Sequence, residues 1–562
     1  MKVRFLSLAL LILLLCSTVV AEAQVARKLM PRNINVPGKD HFYPLLTADG
    51  REMIFLSTYS STGVPTLRYS TMRGGDWTVP EDVTGLLKGE LEMLTGFGWS
   101  YDGQTMAMTS RRAPGIGGYD IWMAERRGDY SFGAPINLGK PVNSDANEGA
   151  PFLSADGKTM VFMRCDNMGN FKADGCSLYI TEKQGGRWSE PVALPASVNR
   201  GNSQFPRLLA DGNTLYFSSD QHGGKGGMEL LMTRRNGTSW SEPVLMDFLN
   251  DENDNNFCAV PGAGDVVFYS SMYRDNKNII MAKLPEEFQP DHVYLLKGKV
   301  AATGSDAPPE CMIQVYDAGS GELVSGLRTD EDGGFFVIMP EGRTYDVSAF
   351  PLQLGHTFYA DLFDLETMEH SDWEDHPVTL EPLKAGTKMT LQNIRFADYD
   401  STLLPESRLE LLRLIKLMKG NTNLRVKIKG YITDYKQDSV QSDPDLNLAI
   451  YDTTWVEAPA SAMEAPESEA DAEGEEWNEY TAGEDTLAAS FGDEGMEAPS
   501  KLPVVKTTWH NDRSAAYARA VMRFLTDQGV PGRLLSAEGM QDRFSEDKSQ
   551  EGLNYFVEVV FE

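Results

Sequence analysis

The chain has 562 residues, with 82 Asp and Glu against 51 Lys and Arg and a formal net charge of −31, a length that predicts several domains. The acidic charge argues against nucleic acid as a partner, because the sequence shows no concentrated basic patch to offset the repulsion. The 51 glycines and 29 prolines favour a turn-rich, mainly β protein.

Residues 1–23 are typical of a secretory signal peptide. Lys2 and Arg4 precede a long apolar stretch, and the small-x-small sequence Ala-Glu-Ala ending at Ala23 offers a cleavage site. We therefore expect a periplasmic protein, with association with the outer membrane left open. A membrane anchor is disfavoured because the stretch is shorter than the ~20 residues that a spanning helix needs. A lipid anchor at Cys16 is disfavoured by the bulky residue before it.

Two cysteines flank a loop rich in Gly, Asn and Asp. Cys165 and Cys176 bracket the sequence CDNMGNFKADGC, which predicts either a local disulfide or two free thiols. No paired short Cys or His spacing accompanies them, so we expect neither a structural metal nor any other cofactor.

A repeat organises the first half of the chain. Four similar segments carry an Asp-Gly pair at spacings of 53, 54 and 55 residues, and a worn fifth copy follows. Asp-Gly between alternating apolar runs predicts a hairpin with a type I′ turn, in which both central residues take positive φ. A catalytic or calcium-binding role for these aspartates is disfavoured, because turn formation already explains them. The four aspartates are Asp49, Asp102, Asp156 and Asp211.

The repeat predicts a β-propeller over residues 31–285. Units of about 50 residues that cannot bury their sheet faces alone are typical of propeller blades. The block PINLGKPVNSDANEGAPFLSADGKTMVF resembles the TolB-type, WD40-like repeat of exported proteins of Gram-negative bacteria. The resemblance implies about five blades, with six left open, and a propeller that serves as a docking platform.

An Asn-rich loop precedes the innermost strand of four predicted blades. In a propeller these loops would cluster at one mouth of the axial channel, where they could bind a partner loop or a sugar. The alternative, which we favour, is that Asn supplies local turn geometry. The candidate residues are Asn35, Asn143, Asn199 and Asn250.

Residues 293–372 predict a small β-sandwich, because short alternating strands are separated by Gly and Asp turns. Its TD-x-DG-F and P-x-G-x-x-Y patterns are similar to those of the carboxypeptidase regulatory-like domain, which implies no peptidase chemistry. His370 and His376 lie in EHSDWEDH, where an acidic linker is favoured over a metal site. No nucleophile elbow, zinc-protease helix or phosphate loop is found in the chain.

Residues 388–562 alternate strand and helix patterns in the order β-α-β-α-β. The phrases F-x-x-x-DS-x-L-x-PES and S-x-x-x-A-x-AV-x-x-FL resemble the OmpA-like peptidoglycan-binding domain. The sequence as a whole therefore predicts a multidomain, mainly β protein: a β-propeller, then a β-sandwich, then an α+β domain.

This domain departs from the OmpA-like pattern where the family binds peptidoglycan. The family uses an Asp after a Gly-His-Thr turn and an Arg on the second helix, which grips a carboxylate through two hydrogen bonds. Here the turn is one residue longer and ends at Asp434, and Tyr517 takes the place of the Arg. Asp434, Arg513 and Arg519 remain as candidates, and the loss of the bidentate cation weakens the expectation of peptidoglycan binding.

An acidic insert at residues 435–505 interrupts the domain. Residues 453–500 carry 14 Asp and Glu and no Lys or Arg, which predicts disorder. The insert could recognise a basic partner, or it could simply be a solvated segment, which is the more common case for such a run.

The three binding-type domains predict a non-enzymatic cell-envelope scaffold. Their order resembles the type IX secretion component that ties the periplasmic ring to the cell wall, which implies envelope or secretion-machinery proteins, and peptidoglycan, as partners. The helical repeats and lipoprotein signal of that component are missing. The alternative is a glycan-binding or glycan-processing protein that uses the propeller mouth, with two carboxylates roughly 5 to 10 Å apart.

Overall fold

We describe a computed structural model of the chain, and all structural statements concern the residues that it describes. These are residues 26–59, 65–83, 96–128, 131–169, 172–253, 258–262, 264–273, 275–366, 374–397, 401–432, 437–438, 447–457, 501–511, 513–540 and 555–562. The predicted signal peptide, Cys16, His370 and Asp434 lie outside them. The chain divides into two compact units: residues 1–352 with 362–380, and residues 353–361 with 381–562.

The first unit begins with five antiparallel sheets of similar construction, which are the blades of a propeller. The first four follow one another along the chain, and each runs from an innermost to an outermost strand. Blade 1 holds β2 (His41–Leu46), β3 (Glu52–Ser57), β4 (Thr66–Arg73), β5 (Asp76–Trp77) and β6 (Glu81–Asp82). Blade 2 holds β7 (Phe97–Trp99), β8 (Thr105–Ser110), β9 (Asp120–Gly128), β10 (Ser131–Phe132) and β11 (Ile136–Asn137).

The next two blades repeat this order. Blade 3 holds β12 (Asn147–Leu153), β13 (Thr159–Cys165), β16 (Ser177–Gln184), β17 (Arg187–Trp188) and β18 (Val192–Ala193), with an added hairpin of β14 (Asn167–Gly169) and β15 (Lys172–Asp174). Blade 4 holds β19 (Ser203–Leu208), β20 (Thr214–Ser219), β21 (Glu229–Asn236), β22 (Ser239–Trp240) and β23 (Val244–Leu245).

The fifth blade joins the two ends of the propeller sequence. It consists of β24 (Cys258–Ala259), β25 (Val266–Tyr273), β26 (Asn276–Lys283) and β1 (Arg27–Leu29). Strand β1 pairs antiparallel with β26, and the Met30 N–H continues the ladder to the Ile279 carbonyl at 3.1 Å. The described sheets therefore form five blades, closed by a strand from the amino-terminal end.

The outermost strand of a blade is split in two, and the sequence explains why. In blades 3 and 4 the first piece ends at a Trp and the second begins just after a Pro: Pro191 precedes Val192, and Pro243 precedes Val244. Proline has no N–H to donate to the ladder, so it is tolerated at an edge strand. The spacing of Trp and Pro in the sequence thus marks the rim of the propeller.

The Asp-Gly pairs close hairpins, but not with type I′ turns. Only the glycine has positive φ, for example 65° at Gly50 and 70° at Gly212. The Gly50 N–H donates to the Thr47 carbonyl at 2.9 Å, and the Asp49 carboxylate accepts from the Arg51 N–H at 3.0 Å and from the Thr47 hydroxyl at 2.7 Å. The type I′ expectation is therefore wrong, because the aspartate side chain bonds to its own turn and its backbone stays at negative φ.

Two further sheets follow the propeller along the chain. One, in the order β30-β27-β33, holds β27 (Val293–Ala302), β30 (Gly334–Pro340) and β33 (Glu374–Leu380). The other, in the order β29-β28-β31-β32, holds β28 (Cys311–Asp317), β29 (Leu323–Arg328), β31 (Thr344–Pro351) and β32 (Tyr359–Asp364). Burial alternates along β27 from Leu296 to Ala302, as expected for a strand with one buried face.

The second unit contains a mixed sheet and two helices. The sheet, in the order β34-β40-β35-β39, holds β34 (Lys388–Leu391), β35 (Val426–Ile432), β39 (Leu535–Met540) and β40 (Tyr555–Phe561). The helices are α1 (Ser407–Gly420) and α2 (Ser514–Asp527). Strand β39 was not predicted, because its sequence LSAEGM carries little apolar alternation.

The acidic insert is ordered at both ends, which corrects the expectation of disorder for those parts. Strands β36 (Gln437–Asp438), β37 (Asn447–Glu457) and β38 (Lys501–Asn511) form a separate sheet in the order β36-β38-β37. Residues 458–500 lie outside the described part of the chain.

Candidate functional site

The innermost strands of the blades carry an unusual backbone conformation at equivalent positions. Six residues before the turn aspartate, Tyr43, Ala150 and Phe205 have φ of 58°, 45° and 50°, and Gly96 has 91°. Such angles cost a non-glycine residue of order 1 kcal/mol or more, so the surrounding structure must hold them. The ladder shifts register at the same place in blades 1, 3 and 4.

These strands bring aromatic side chains from three blades together at the propeller axis. The rings of Tyr43 and Phe97 stack with centroids 4.5 Å apart, and Phe205 meets Tyr43 edge to face at 6.1 Å. All three are buried. The innermost strands of three blades are therefore packed against one another through aromatic rings.

Arg207 lies among these rings with only 3% of its surface exposed. Its guanidinium carbon is 4.9 Å from the centre of the Tyr43 ring and 5.1 Å from that of Phe152. One terminal nitrogen donates to the Pro206 carbonyl at 2.9 Å, and Nε has no hydrogen-bond partner among the described residues. Cation–π contact with two rings is the interaction that offsets the burial of this charge.

The predicted Asn residues do occupy equivalent positions, but their amides are hydrogen-bonded to the third strand of the preceding blade around the ring. Asn250 accepts from the Leu230 N–H at 2.8 Å and donates to the Leu230 carbonyl at 3.0 Å. Asn143 makes the same pair with Ile121 at 2.8 and 3.0 Å. Asn199 and Asn35 repeat it with Leu178 and Ile279. Three of the four are buried, and Asn199 is partly buried. Their burial and hydrogen bonds fit a role in local backbone geometry better than a polar ring that faces a ligand.

The loops beside these asparagines are held by buried carboxylates that the sequence analysis missed. The Asp120 carboxylate accepts from the N–H groups of Ile116 and Gly117 at 2.6 and 3.1 Å, and the Glu229 carboxylate accepts from those of Lys225 and Gly226. A glycine-rich run before the acid, GIGGYD and GGKGGME, is the signal that could have found them. Each carboxylate fixes the loop between the second and third strands of its blade.

We call the propeller end that carries these loops the loop face. The hairpin of β14 and β15 belongs to it and is clipped by a disulfide between Cys165 and Cys176. The Ala173 carbonyl on this hairpin accepts from the side-chain amides of Asn202 and Gln204 in blade 4, at 3.0 and 2.6 Å. The hairpin of blade 3 therefore reaches across to its neighbour.

The opposite end, where the Asp-Gly turns lie, is covered by the two-sheet domain. The Lys158 ammonium donates to the Val324 carbonyl at 2.6 Å, and the Asp291 N–H donates to the Asp211 carboxylate at 3.0 Å. A cavity of about 460 Å³ remains between them, with Asp49 and Lys297 on its wall. In the first unit, the loop face is thus the end of the propeller that this domain leaves uncovered.

The remaining cysteines are structural. Cys258 and Cys311 are buried, and burial raises the pKa of each thiol to about 12. Both thiols therefore stay protonated and unreactive at neutral pH. Among the described residues, no group of three or more His, Cys, Asp or Glu is placed to hold a metal ion.

In the second unit, Tyr517, at the position that the OmpA resemblance gives to arginine, belongs to an aromatic cluster. The Tyr517 ring stacks on Phe396 with centroids 4.3 Å apart and lies 5.1 Å from the Tyr555 ring. The Tyr555 hydroxyl accepts from the Phe396 N–H at 2.8 Å. Tyr517 is 4% exposed, so this position offers packing rather than a cation.

The candidate peptidoglycan ligands do not form one site in the described residues. Arg513 is buried before α2, and its Nε has no hydrogen-bond partner there, whereas Arg519 is exposed on the helix. Asp434 lies outside the described part. Helix α2 lies very close to the sheet, because a Cβ at Gly430 would come within 2.0 Å of the Ser514 carbonyl oxygen.

No protein-family model matches the chain, and no curated protein matches it. Among solved structures, the chain is similar to a proposed TolB from Agrobacterium tumefaciens, with 17% identity over 56% of this chain and 91% of that one and a TM-score of 0.28. It is also similar to TolB from Acinetobacter baumannii, with 13% identity over 44% of this chain and 55% of that one and a TM-score of 0.28. A third similar structure is an oligogalacturonate lyase from Vibrio parahaemolyticus, with 10% identity over 48% of this chain and 96% of that one and a TM-score of 0.27.

At these identities and TM-scores the likenesses carry no argument about function. The class rests on topology: a mainly β protein whose first unit contains a five-bladed propeller. In the described chain, no helix has the length and hydropathy needed to span a membrane.

Proposed function

We propose that this chain is a non-enzymatic scaffold of the cell envelope. In this proposal the loop face of the propeller docks a protein partner, and the carboxyl-terminal domain contacts peptidoglycan or another envelope component. The predicted signal peptide supports a periplasmic location, and the predicted domain order supports a partner from the type IX secretion machinery.

The packing between the innermost strands is the observation that carries the proposal. Tyr43, Phe97 and Phe205 are buried against one another there, which favours recognition on the propeller surface over binding inside the propeller. The loop face suits that role, because Asp120 and Glu229 fix its loops from within. Loops positioned by a rigid scaffold lose little conformational entropy on binding.

Nothing in the described residues favours the glycan hypothesis over docking. That hypothesis needs polar side chains at the mouth, and the amides of Asn143, Asn199 and Asn250 are already hydrogen-bonded to the backbone of the preceding blade.

Matched charge variants test the docking face. Asp145→Lys with Gln221→Lys changes exposed residues of the loop face, and Glu190→Lys with Gln184→Lys makes the same charge change elsewhere on blade 3. Envelope proteins cross-linked to each variant would be quantified by mass spectrometry. We expect the recovery of one partner to fall at least about tenfold with the first variant and to stay unchanged with the second. Equal recovery with both variants would contradict docking through the loop face.

Sedimentation with purified sacculi separates the two roles of the carboxyl-terminal domain. Co-sedimentation that Asp434→Ala abolishes would assign peptidoglycan, whereas absence of co-sedimentation would assign another envelope component. Tyr517→Arg is the companion variant, because it restores the cation that the family uses to grip a carboxylate.

A further inference from the structure

The ordered ends of the acidic insert form a long ribbon in the second unit. Strands β37 and β38 pair over eleven consecutive residues, from Asn447 opposite Asn511 to Glu457 opposite Lys501, with no bulge. At about 3.4 Å per residue the ribbon is roughly 37 Å long. On its β38 side, β36 pairs only with Trp509 and His510.

The outer edge of β37 has no neighbouring strand in the described chain. The sheet order places β37 at the end of its sheet along its whole length. An edge of this kind presents a row of backbone N–H and C=O groups that another strand can pair with, and proteins commonly block such edges with bulges or prolines. Strand β37 has neither of these features. Its pairing with β38 is regular, and its sequence NLAIYDTTWVE contains no proline.

Apolar side chains on this ribbon are exposed. Trp455 is 63% exposed, and Val504 and Val505 of the facing strand are 45% and 49% exposed. In this register Val505 lies on the same face of the ribbon as Trp455, and Val504 lies on the opposite face. A two-stranded ribbon is marginally stable by itself in water, and exposed apolar side chains of this kind are typical of an interaction surface. The ribbon therefore has the composition of a surface that a partner covers.

Charge decides between a second copy of this chain and a different partner. The segment that joins the two strands, residues 458–500, holds 13 Asp and Glu and no Lys or Arg, and the whole chain has a net charge of −31. Two copies would each bring this net charge of −31, which disfavours their association. A positively charged partner, in contrast, is attracted by this negative charge.

We propose that β37 is a docking edge for a β-strand of a basic protein. The partner strand extends the sheet by backbone hydrogen bonds to residues 447–457, its apolar side chains cover Trp455, and its Lys or Arg side chains meet the acidic field. This surface is separate from the loop face of the propeller, so the two proposals succeed or fail independently.

A synthetic peptide probes this edge on the full chain. The probe is a fluorescent twelve-residue peptide of alternating Lys and Val, and the control is the same peptide with alternate backbone amides N-methylated, which keeps the charge and removes the pairing. We expect the first peptide to bind at least about tenfold more tightly, and to slow amide hydrogen exchange in residues 447–457. Equal binding by the methylated peptide, or unchanged exchange in those residues, would overturn the proposal.

Variants locate the contact. Trp455→Ala is expected to weaken binding of the alternating peptide at least about tenfold, because an interfacial tryptophan commonly carries much of the binding energy. Val192→Ala, which truncates a propeller side chain that is 65% exposed, is the matched control and should leave binding unchanged. Retained affinity in Trp455→Ala, or dimerisation of the free chain that Trp455→Ala abolishes, would refute the basic-strand assignment.

Discussion

The hydroxyl of Tyr43 in blade 1 donates to the Phe97 carbonyl of blade 2 at 3.1 Å and accepts from the Phe97 N–H at 3.2 Å. The same two residues stack their rings. One tyrosine thus fastens two innermost strands at the axis, by packing and by hydrogen bonds.

Removing parts of Tyr43 should separate these contributions. Tyr43→Phe loses the hydroxyl and is expected to lower the free energy of unfolding by about 1 kcal/mol, whereas Tyr43→Ala also loses the ring and is expected to cost about 3–5 kcal/mol. Urea unfolding of the full chain measures both values. Indistinguishable values for the two variants would show that the ring packing contributes nothing.

Gly96 should tolerate no side chain, because the neighbouring blade lies too close. A Cβ there would come within 2.6 Å of the Ala150 Cα. Gly38 has a similar φ of 76° but no atom within 4 Å, so Gly38→Ala reports the backbone cost alone. We expect Gly96→Ala to be less stable than Gly38→Ala by about 1–3 kcal/mol, measured by urea unfolding. Equal losses would mean that the blades do not approach each other as described.

Asn250 should matter for folding rather than for ligand binding. Asn250→Ala leaves the buried N–H and C=O of Leu230 without their partner, which is expected to cost about 1–3 kcal/mol. Asn236→Ala, at an exposed turn residue, is the control and should change stability by less than about 0.5 kcal/mol. Recovery of partner proteins per folded molecule should be the same for both variants, and a selective loss with Asn250→Ala at full stability would restore the ligand-facing hypothesis.

His41 should make the propeller sensitive to mild acid. Burial lowers its pKa below the ordinary value of 6.5, against smaller opposing effects of the Val36 carbonyl and the Asp40 charge. Below pH 6.5 the unfolded chain binds a proton that the folded chain resists, so stability falls as the pH drops through this window and is constant for this group above it. The difference in unfolding midpoint between wild type and His41→Gln, followed from pH 8 to 5, should shrink as the pH falls, and a constant difference would contradict the assignment.

The sequence was sufficient for the blades because their landmarks are local. An Asp-Gly pair and a split outer strand recur in each of the first four blades, and both are decided by neighbouring residues, as at Asp49 with Arg51. The same holds for the two helices of the second unit, which end at or just before Gly420 and Gly529, because these glycines close an apolar helical pattern.

The site could not be predicted in the same way, because it depends on distant pairs. Whether the Asn35 amide faces solvent or a strand depends on Ile279, which lies 244 residues away. The contact between Tyr43 and Phe97 joins different blades, and no local pattern reveals it. The ribbon was missed because the charge of residues 458–500 dominates the composition of the insert that also contains β37.

Site-specific photo-crosslinking tests the scaffold account most directly. A photoreactive residue at Gln221 on the loop face and another at Gln184, also exposed on the propeller, would be introduced separately into the full chain, and the cells would then be irradiated. The account predicts one discrete covalent partner from Gln221 and none from Gln184. Adducts of equal pattern from both positions, or none from Gln221 in intact envelopes, would contradict it.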